Sequence, residues 1–448
     1  MSNQFHKLIN YFISHFIGIG VFILLNSAVS AGPLIQHWET SSGVRVYFVE
    51  SHELPMVDLQ LVFDAGSVRD PEGKRGLAQL TNSLLDQAAG GMNADDISFE
   101  FERLGAEFSA RGASDTASIS LRSLSNKDLL EPALDMLKIV LTSPDFPEDV
   151  IDRERNRILV GIQRKNQSPG AIASERFDEV VFAGHPYAYP NEGTPESLSN
   201  IIRNDLVRFH SDFYVAKNAM ITLVGDISLR QAEFIAESVT GDLPLGSAPR
   251  YFPEVQPAAK EALIKVAHPS SQVHILLGQP GMKYGDPDYF PLYVGNHILG
   301  GGGLVSRLFE EVREKRGLSY GASSYFSPRR GLGPFQASIS TREDQTQEGL
   351  DVLKQTIKDF VDNGPTQDEL ISAKKNITGG FPLRLDSNGK ISGYLSVIGF
   401  YQLPLDYLET FNEKVESVTL NDIKDAFQRR LDPDKFVTVL VGPVQAED

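Results

Sequence analysis

Gly76-Leu77-Ala78-Gln79-Leu80-Thr81-Asn82-Ser83-Leu84-Leu85 follows, after a short turn, the stretch Leu61-Val62-Phe63-Asp64-Ala65-Gly66-Ser67-Val68-Arg69-Asp70. Upstream, Val57-Asp58-Leu59-Gln60-Leu61-Val62 alternates and is rich in strand formers. Over residues 75–91, Leu77, Leu80, Leu84, Leu85 and Ala88 recur at steps of three and four. That spacing predicts a helix with one buried face, leaving Gln79, Asn82, Ser83 and Asp86 on another. Taken alone, the segment is an amphipathic helix and nothing more.

Two imidazoles four residues apart on such a face can hold one zinc, and a carboxylate just before the second can serve as general base. Gln79, Asn82 and Ser83 occupy those three positions and supply neither an imidazole nor a base. With its lead-in, the segment resembles the zinc helix of the pitrilysin/insulinase-type metallopeptidases, whose inverted motif is H-x-x-E-H. Ile151-Asp152-Arg153-Glu154-Arg155 is similar to the family's second helix. There the resemblance puts the third zinc ligand at Gly161 and leaves Glu154 beside the lost site. His185-Pro186-Tyr187, Gly193-Thr194-Pro195-Glu196-Ser197 and Val224-Gly225-Asp226 continue the match. The resemblance implies no zinc on this chain.

The length of 448 residues accommodates two domains, and 41% hydrophobic with 23% charged residues is ordinary for a soluble globular chain. Lys7 precedes a long apolar stretch that ends in Ala28-Val29-Ser30-Ala31, a small-residue cleavage pattern. Residues 1–31 are therefore expected to be a signal peptide of a periplasmic protein. The alternative is an uncleaved anchor that holds the chain to the inner membrane, facing the periplasm. With no cysteine, there is no disulfide framework or thiolate site. The net charge is −17, and removing residues 1–31 takes away one lysine and no acid. Such an acidic chain is a poor nucleic-acid or anionic-lipid binder; it could favour basic peptides, or simply carry a solvated acidic surface.

The chain echoes itself at about 220 residues. Ala117-Ser118-Ile119-Ser120-Leu121 and the helix pattern after it are matched by Ala337-Ser338-Ile339-Ser340-Thr341 and another helix pattern. Ala219-Met220-Ile221-Thr222-Leu223-Val224-Gly225 is matched by Phe436-Val437-Thr438-Val439-Leu440-Val441-Gly442. Together these predict an α+β protein of two homologous domains in tandem, each a mostly antiparallel sheet with helices packed on one face. The expected bounds are 34–245 and 259–445, joined by a Pro/Gly-rich linker at 246–258.

In the second half, Leu304, Val305, Leu308, Phe309 and Val312 predict an apolar helix face, with Gly317 placed to end the helix. Arg313 and Tyr320, seven residues apart, match the family's arginine/tyrosine motif. In isolation they are a solvated helix-end Arg and a Tyr packed on a sheet. The resemblance implies instead a pair of donors facing one cleft, stabilising the oxyanion formed when activated water attacks a peptide carbonyl. Gly300-Gly301-Gly302-Gly303 lacks the Gly-Lys-Ser/Thr of a phosphate loop. It is either a mobile substrate-touching loop or a tight connection. The family's substrate-binding Asn-Ala pair falls at Phe108-Ser109-Ala110-Arg111, where the Asn is missing. Main-chain strand addition at that edge would not depend on it. His185, His210, His268, His274 and His297 are not at ligand spacing, and no G-x-S-x-G elbow is present.

In two-chain members of the family, one chain carries zinc and the other the Arg/Tyr pair. The expected function is thus a non-catalytic substrate-binding subunit of a zinc metallopeptidase, inactive alone. Its partner would be a homologous H-x-x-E-H subunit bearing the zinc, its substrate a peptide or unfolded polypeptide. A peptide-binding or structural scaffold is the alternative, and an independently active peptidase a third.

Overall fold

The structure is a computed structural model that describes residues 32–249, 251–256 and 260–445. The expected signal segment, residues 1–31, lies outside the described residues.

A six-stranded sheet runs in the order β1-β2-β8-β3-β7-β6 and a five-stranded sheet in the order β11-β12-β10-β13-β9. The first is built from β1 (Gln36–Glu39), β2 (Arg45–Glu50), β3 (Met56–Phe63), β6 (Glu107–Gly112), β7 (Ala117–Leu124) and β8 (Ala219–Gly225). The second contains β9 (Ala262–Ala267), β10 (Val273–Pro280), β11 (Ala322–Phe326), β12 (Pro334–Thr341) and β13 (Val437–Gly442). A two-residue hairpin, β4 (Ala88–Ala89) and β5 (Met92–Asn93), stands apart. Setting β2-β8-β3-β7-β6 over β9-β13-β10-β12-β11 matches every pairing. In each sheet one pair is parallel (β2 with β8, β9 with β13) and the other pairs are antiparallel. The tandem repeat read from the sequence is therefore a topological repeat. When Gly225 and Gly442 are superposed, the ladders set Ser123 against Thr341. The echo at Ala117 and Ala337 is thus two residues out of register, a shift that leaves every side chain on the same face.

Each half packs its own helices against one face of its sheet, and one helix from the other half crosses the opposite face. Helix Pro169–Val181, from the first half, places Ala173, Phe177 and Val181 against Leu276, Val437, Val439 and Val441. Helix Asn388–Phe400, from the second, shares a core with Tyr47, Val49, Met220 and Val224. Gly399 permits that approach: a Cβ there would stand 2.5 Å from the Met220 methyl and 2.6 Å from the Tyr47 ring. The exchange explains why β8 and β13 read as unbroken apolar runs, since both are buried at every position. Burying each of these large side chains contributes about 1.5–3 kcal/mol, so neither sheet completes its core without the other half.

Polar contacts reinforce the junction. Asp115, 4% exposed, accepts from Tyr187 Oη (2.5 Å), Tyr401 Oη (3.0 Å) and the Arg330 N–H (2.8 Å). Burial, and then the Asp115 charge, hold both phenols above their usual range. The linker lies across this junction, with Val255 buried and the Phe252 ring beside His185 and Tyr187.

Two sequence expectations are corrected. The helix expected over residues 75–91 ends at Ser83. Leu84 and Leu85, though buried, close short turns, and Gly90 and Gly91 (φ 60° and 80°) form the tight turn of the β4–β5 hairpin. A Gly-Gly pair suits such a turn because both central residues need positive φ. The second correction concerns the apolar face at residues 304–312. Leu308, Phe309 and Val312 are buried, whereas Leu304 and Val305 are 70% and 79% exposed, because the helix starts only at Arg307 after the Ser306 cap.

Candidate functional site

The emptied zinc helix, Leu77–Ser83, starts at Gly76 (φ 93°), where the Asp70 carboxylate accepts from the Gly76 and Ala78 N–H groups at 2.7 Å each. Burial pushes Asp70 up to about 7, against the pull of those two donors and of Arg75. Gln79 lies against the edge strand, its amide oxygen 2.6 Å from where a Cβ on Gly112 would be. Asn82 is 1% exposed and donates through Nδ2 to the buried Tyr214 hydroxyl at 3.2 Å. Ser83 donates back to the Leu80 carbonyl at 3.0 Å. Gly161 sits on the exposed face of helix Glu148–Lys165, and buried Glu154 accepts from Arg157 at 2.6 Å. Asn82, at the position the resemblance gives to the base, thus makes a core hydrogen bond, and this set of side chains does not fit a zinc ion. No group of three or more potential ligands stands together among the described residues.

Arg313 and Tyr320 lie in the second half, on the approach to the edge strand β11. The helix from Arg307 widens into a π-turn over Glu310–Glu314, with Lys315 N–H bonded to the Glu310 carbonyl at 2.9 Å. Gly317, at φ 64°, ends it as the sequence anticipates, and the Leu318 N–H reaches back to Val312 at 2.9 Å. That reversal brings Tyr320 alongside the helix, where Arg313 Nη1 donates to its carbonyl at 2.8 Å. The guanidinium lies 5.0 Å from the Phe309 ring, a cation–π contact that fixes its plane. Tyr320 is 83% exposed, and its hydroxyl has no partner among the described residues.

Both side chains line one cleft of about 740 Å³. Its floor is β10, β11 and β12, and its far wall is the first-half helix Pro169–Val181, through Gly170, Ala173 and Ser174. On the floor, His274 Nδ1 and Ser340 Oγ are 3.0 Å apart, and burial holds the imidazole below its usual value. The lining includes five serines and no carboxylate, in a chain with 59 acidic residues. Arg313 therefore faces the cleft with no carboxylate lining it, and Leu304, Tyr320 and Tyr325 give it an apolar rim.

Of the four glycines, Gly303 alone lines the cleft. A Cβ on Gly300 would stand 2.4 Å from Ser324 Oγ, and one on Gly302 2.6 Å from the His297 carbonyl. The run is thus a packed connection at its start and opens to the cleft at its end. None of Gln79, Asn82, Ser83 or Gly161 lines the cleft. Sequence reasoning missed His274 and Ser340; the available signal was the alternation Gln336, Ser338, Ser340 along β12 and a single histidine near the start of the apolar run of β10.

Residues 45–194 match the insulinase (peptidase family M16) model, and residues 200–377 match the peptidase M16 inactive domain. The solved peptidase M16 inactive domain from Pseudomonas fluorescens is 40% identical, with a TM-score of 0.89 over 92% of this chain and 99% of that one. A protein from Helicobacter pylori described as the non-peptidase homolog YmxG is 27% identical, over 91% of this chain and 93% of its own length. A Bacillus subtilis relative, described as an uncharacterized zinc protease, is 23% identical over 92% and 98%. With its two halves matched in order, this chain belongs to the M16 (insulinase) peptidase family.

Proposed function

We propose that the chain is the non-catalytic, substrate-binding subunit of an exported heteromeric zinc peptidase whose metal is held by a homologous H-x-x-E-H partner. One observation carries this reading: Arg313 and Tyr320 stand together in a carboxylate-free cleft, in a chain whose own zinc helix is empty. An extended peptide or unfolded polypeptide would occupy the cleft, and the partner's metal would activate the attacking water.

This chain's part is to bind and polarise. The Tyr320 hydroxyl and the remaining Arg313 N–H groups donate to the carbonyl oxygen under attack, and those bonds strengthen as negative charge develops. The His274–Ser340 pair offers neutral polar contacts to the peptide and leaves the Arg313 charge unopposed. Residues 1–31 would direct export, with cleavage after Ala31 and action in the periplasm; if uncleaved, they would tether the complex to the inner membrane.

The test is peptide hydrolysis by the mature chain, by an H-x-x-E-H homologue from the same organism, and by the two mixed. Activity confined to the mixture and lost with Arg313→Ala supports the proposal. Mixing without effect favours a scaffold, and activity with stoichiometric zinc in this chain alone refutes the proposal.

A further inference from the structure

A second hollow, of about 400 Å³, lies where the halves meet. The first half contributes Arg45 and Lys217 to its lining, the second half Lys283, Arg330 and Tyr401, and the linker Pro249. Asp64 is the one acidic residue in that lining, and its charge is already committed. It takes Arg69 in a bidentate pair at 2.8 and 2.7 Å and also pairs with Arg330. Asp115, bonded to Tyr401, is shared with Tyr187 and the Arg330 N–H. Arg45 donates to the Gly399 carbonyl at 2.8 Å and also interacts with the Tyr47 hydroxyl, with no carboxylate partner in the lining. Neither the Lys217 nor the Lys283 ammonium has a hydrogen bond or ion pair among the described residues.

Backbone geometry adds a second mark. Gln402, on the rim, stands at φ 54° just past the end of helix Asn388–Phe400, and the Leu403 N–H closes back on Ile398 at 2.9 Å. Glycine or asparagine normally takes that position. A glutamine there is strained, and strain of this kind gathers at binding sites. Its presence puts a hydrogen-bonding amide on the rim.

We infer that this hollow is a binding site for a small polyvalent oxyanion, held by Lys217 and Lys283 from opposite halves with Arg45 beside them. It shares no lining residue with the Arg313 cleft. The concentration of unpaired positive charge, in a chain of net charge −17, selects the ligand's sign. The small volume selects a phosphoanhydride or a compact polycarboxylate. Because its ligands come from both halves, an occupant ties them together and stabilises the folded chain.

The test is isothermal titration of the mature chain with pyrophosphate and, separately, with citrate, at constant ionic strength, alongside thermal melts. Saturable one-to-one binding with a rise in Tm is expected for at least one of the two. Pyrophosphate alone identifies a phosphoanhydride site, citrate alone a polycarboxylate site, and both a general oxyanion site. Lys217→Ala with Lys283→Ala should weaken binding by about tenfold or more, whereas Lys217→Arg with Lys283→Arg should retain it and Arg313→Ala should leave it unchanged. Both lysines are exposed, so the ligand-free Tm of the double alanine variant checks its fold. If neither anion binds saturably, or if the double alanine variant binds as tightly as the parent, the inference is overturned.

Discussion

The helix Leu77–Ser83 and the corner from Arg313 to Tyr320 have taken opposite courses. On the helix, Asn82, at the position the resemblance gives to the base, is 1% exposed and donates to Tyr214. At the corner, Tyr320 is 83% exposed and its hydroxyl has no partner among the described residues. Asn82 is held in the core by one hydrogen bond, its Oδ1 having no partner among the described residues, whereas Tyr320 stands open to solvent in the cleft lining. The corresponding corner of the first half, at Gly105 (φ 63°), makes the same point. It reaches β6 after two residues, whereas Gly317 reaches β11 after five, and Tyr320 sits in the longer connection.

Four measurements test this contrast. In the two-subunit mixture, Tyr320→Phe should lower kcat by roughly 10²–10³ with little change in KM, the loss expected for one oxyanion donor. Its Tm should be unchanged; a fall in Tm with kcat intact would make the corner structural. Asp115→Ala should act on both regions alike, because it strips three donors of their buried acceptor. Urea unfolding should show a loss of roughly 3 kcal/mol or more, with kcat preserved in the molecules that remain folded. Asn82→Glu should destabilise the chain by about 2–3 kcal/mol, since it buries a carboxylate opposite Tyr214. Combined with Gln79→His, Ser83→His and Gly161→Glu, it should still bind less than one zinc per chain; stoichiometric zinc would show that the helix has kept its old orientation.

The fourth measurement concerns Asp70. Its pKa is raised on folding to about 7, so its contribution to stability is full below the unfolded value near 4 and is lost as pH rises through 7. Unfolding free energy should fall by roughly 4 kcal/mol over that window, since the value of about 7 already includes the pull of the two helix N–H groups. Asp70→Asn should flatten the profile.

The sequence carried the repeat because each sheet needs one strand buried on both faces, and such strands are unbroken apolar runs ending in Val-Gly. It carried the Arg313–Tyr320 spacing because both residues hang on one local turn. It did not carry the helix exchange: periodicity marks an apolar face on residues 169–181 but not which sheet will cover it. The early end of the zinc helix was legible only in Gly90 and Gly91, since Leu84 and Leu85 are buried either way. The hollow at the junction escaped notice because Lys217 and Lys283 lie 66 residues apart and meet only in three dimensions.

The exchanged helices also set a schedule for synthesis. The first half cannot cover Tyr47, Val49, Met220 and Val224 until residues 388–400 have been made, so most of the chain must leave the ribosome before either sheet is sealed. A nascent chain stopped before residue 388 should be sticky and quickly degraded, whereas a finished molecule nicked in its linker should stay in one piece.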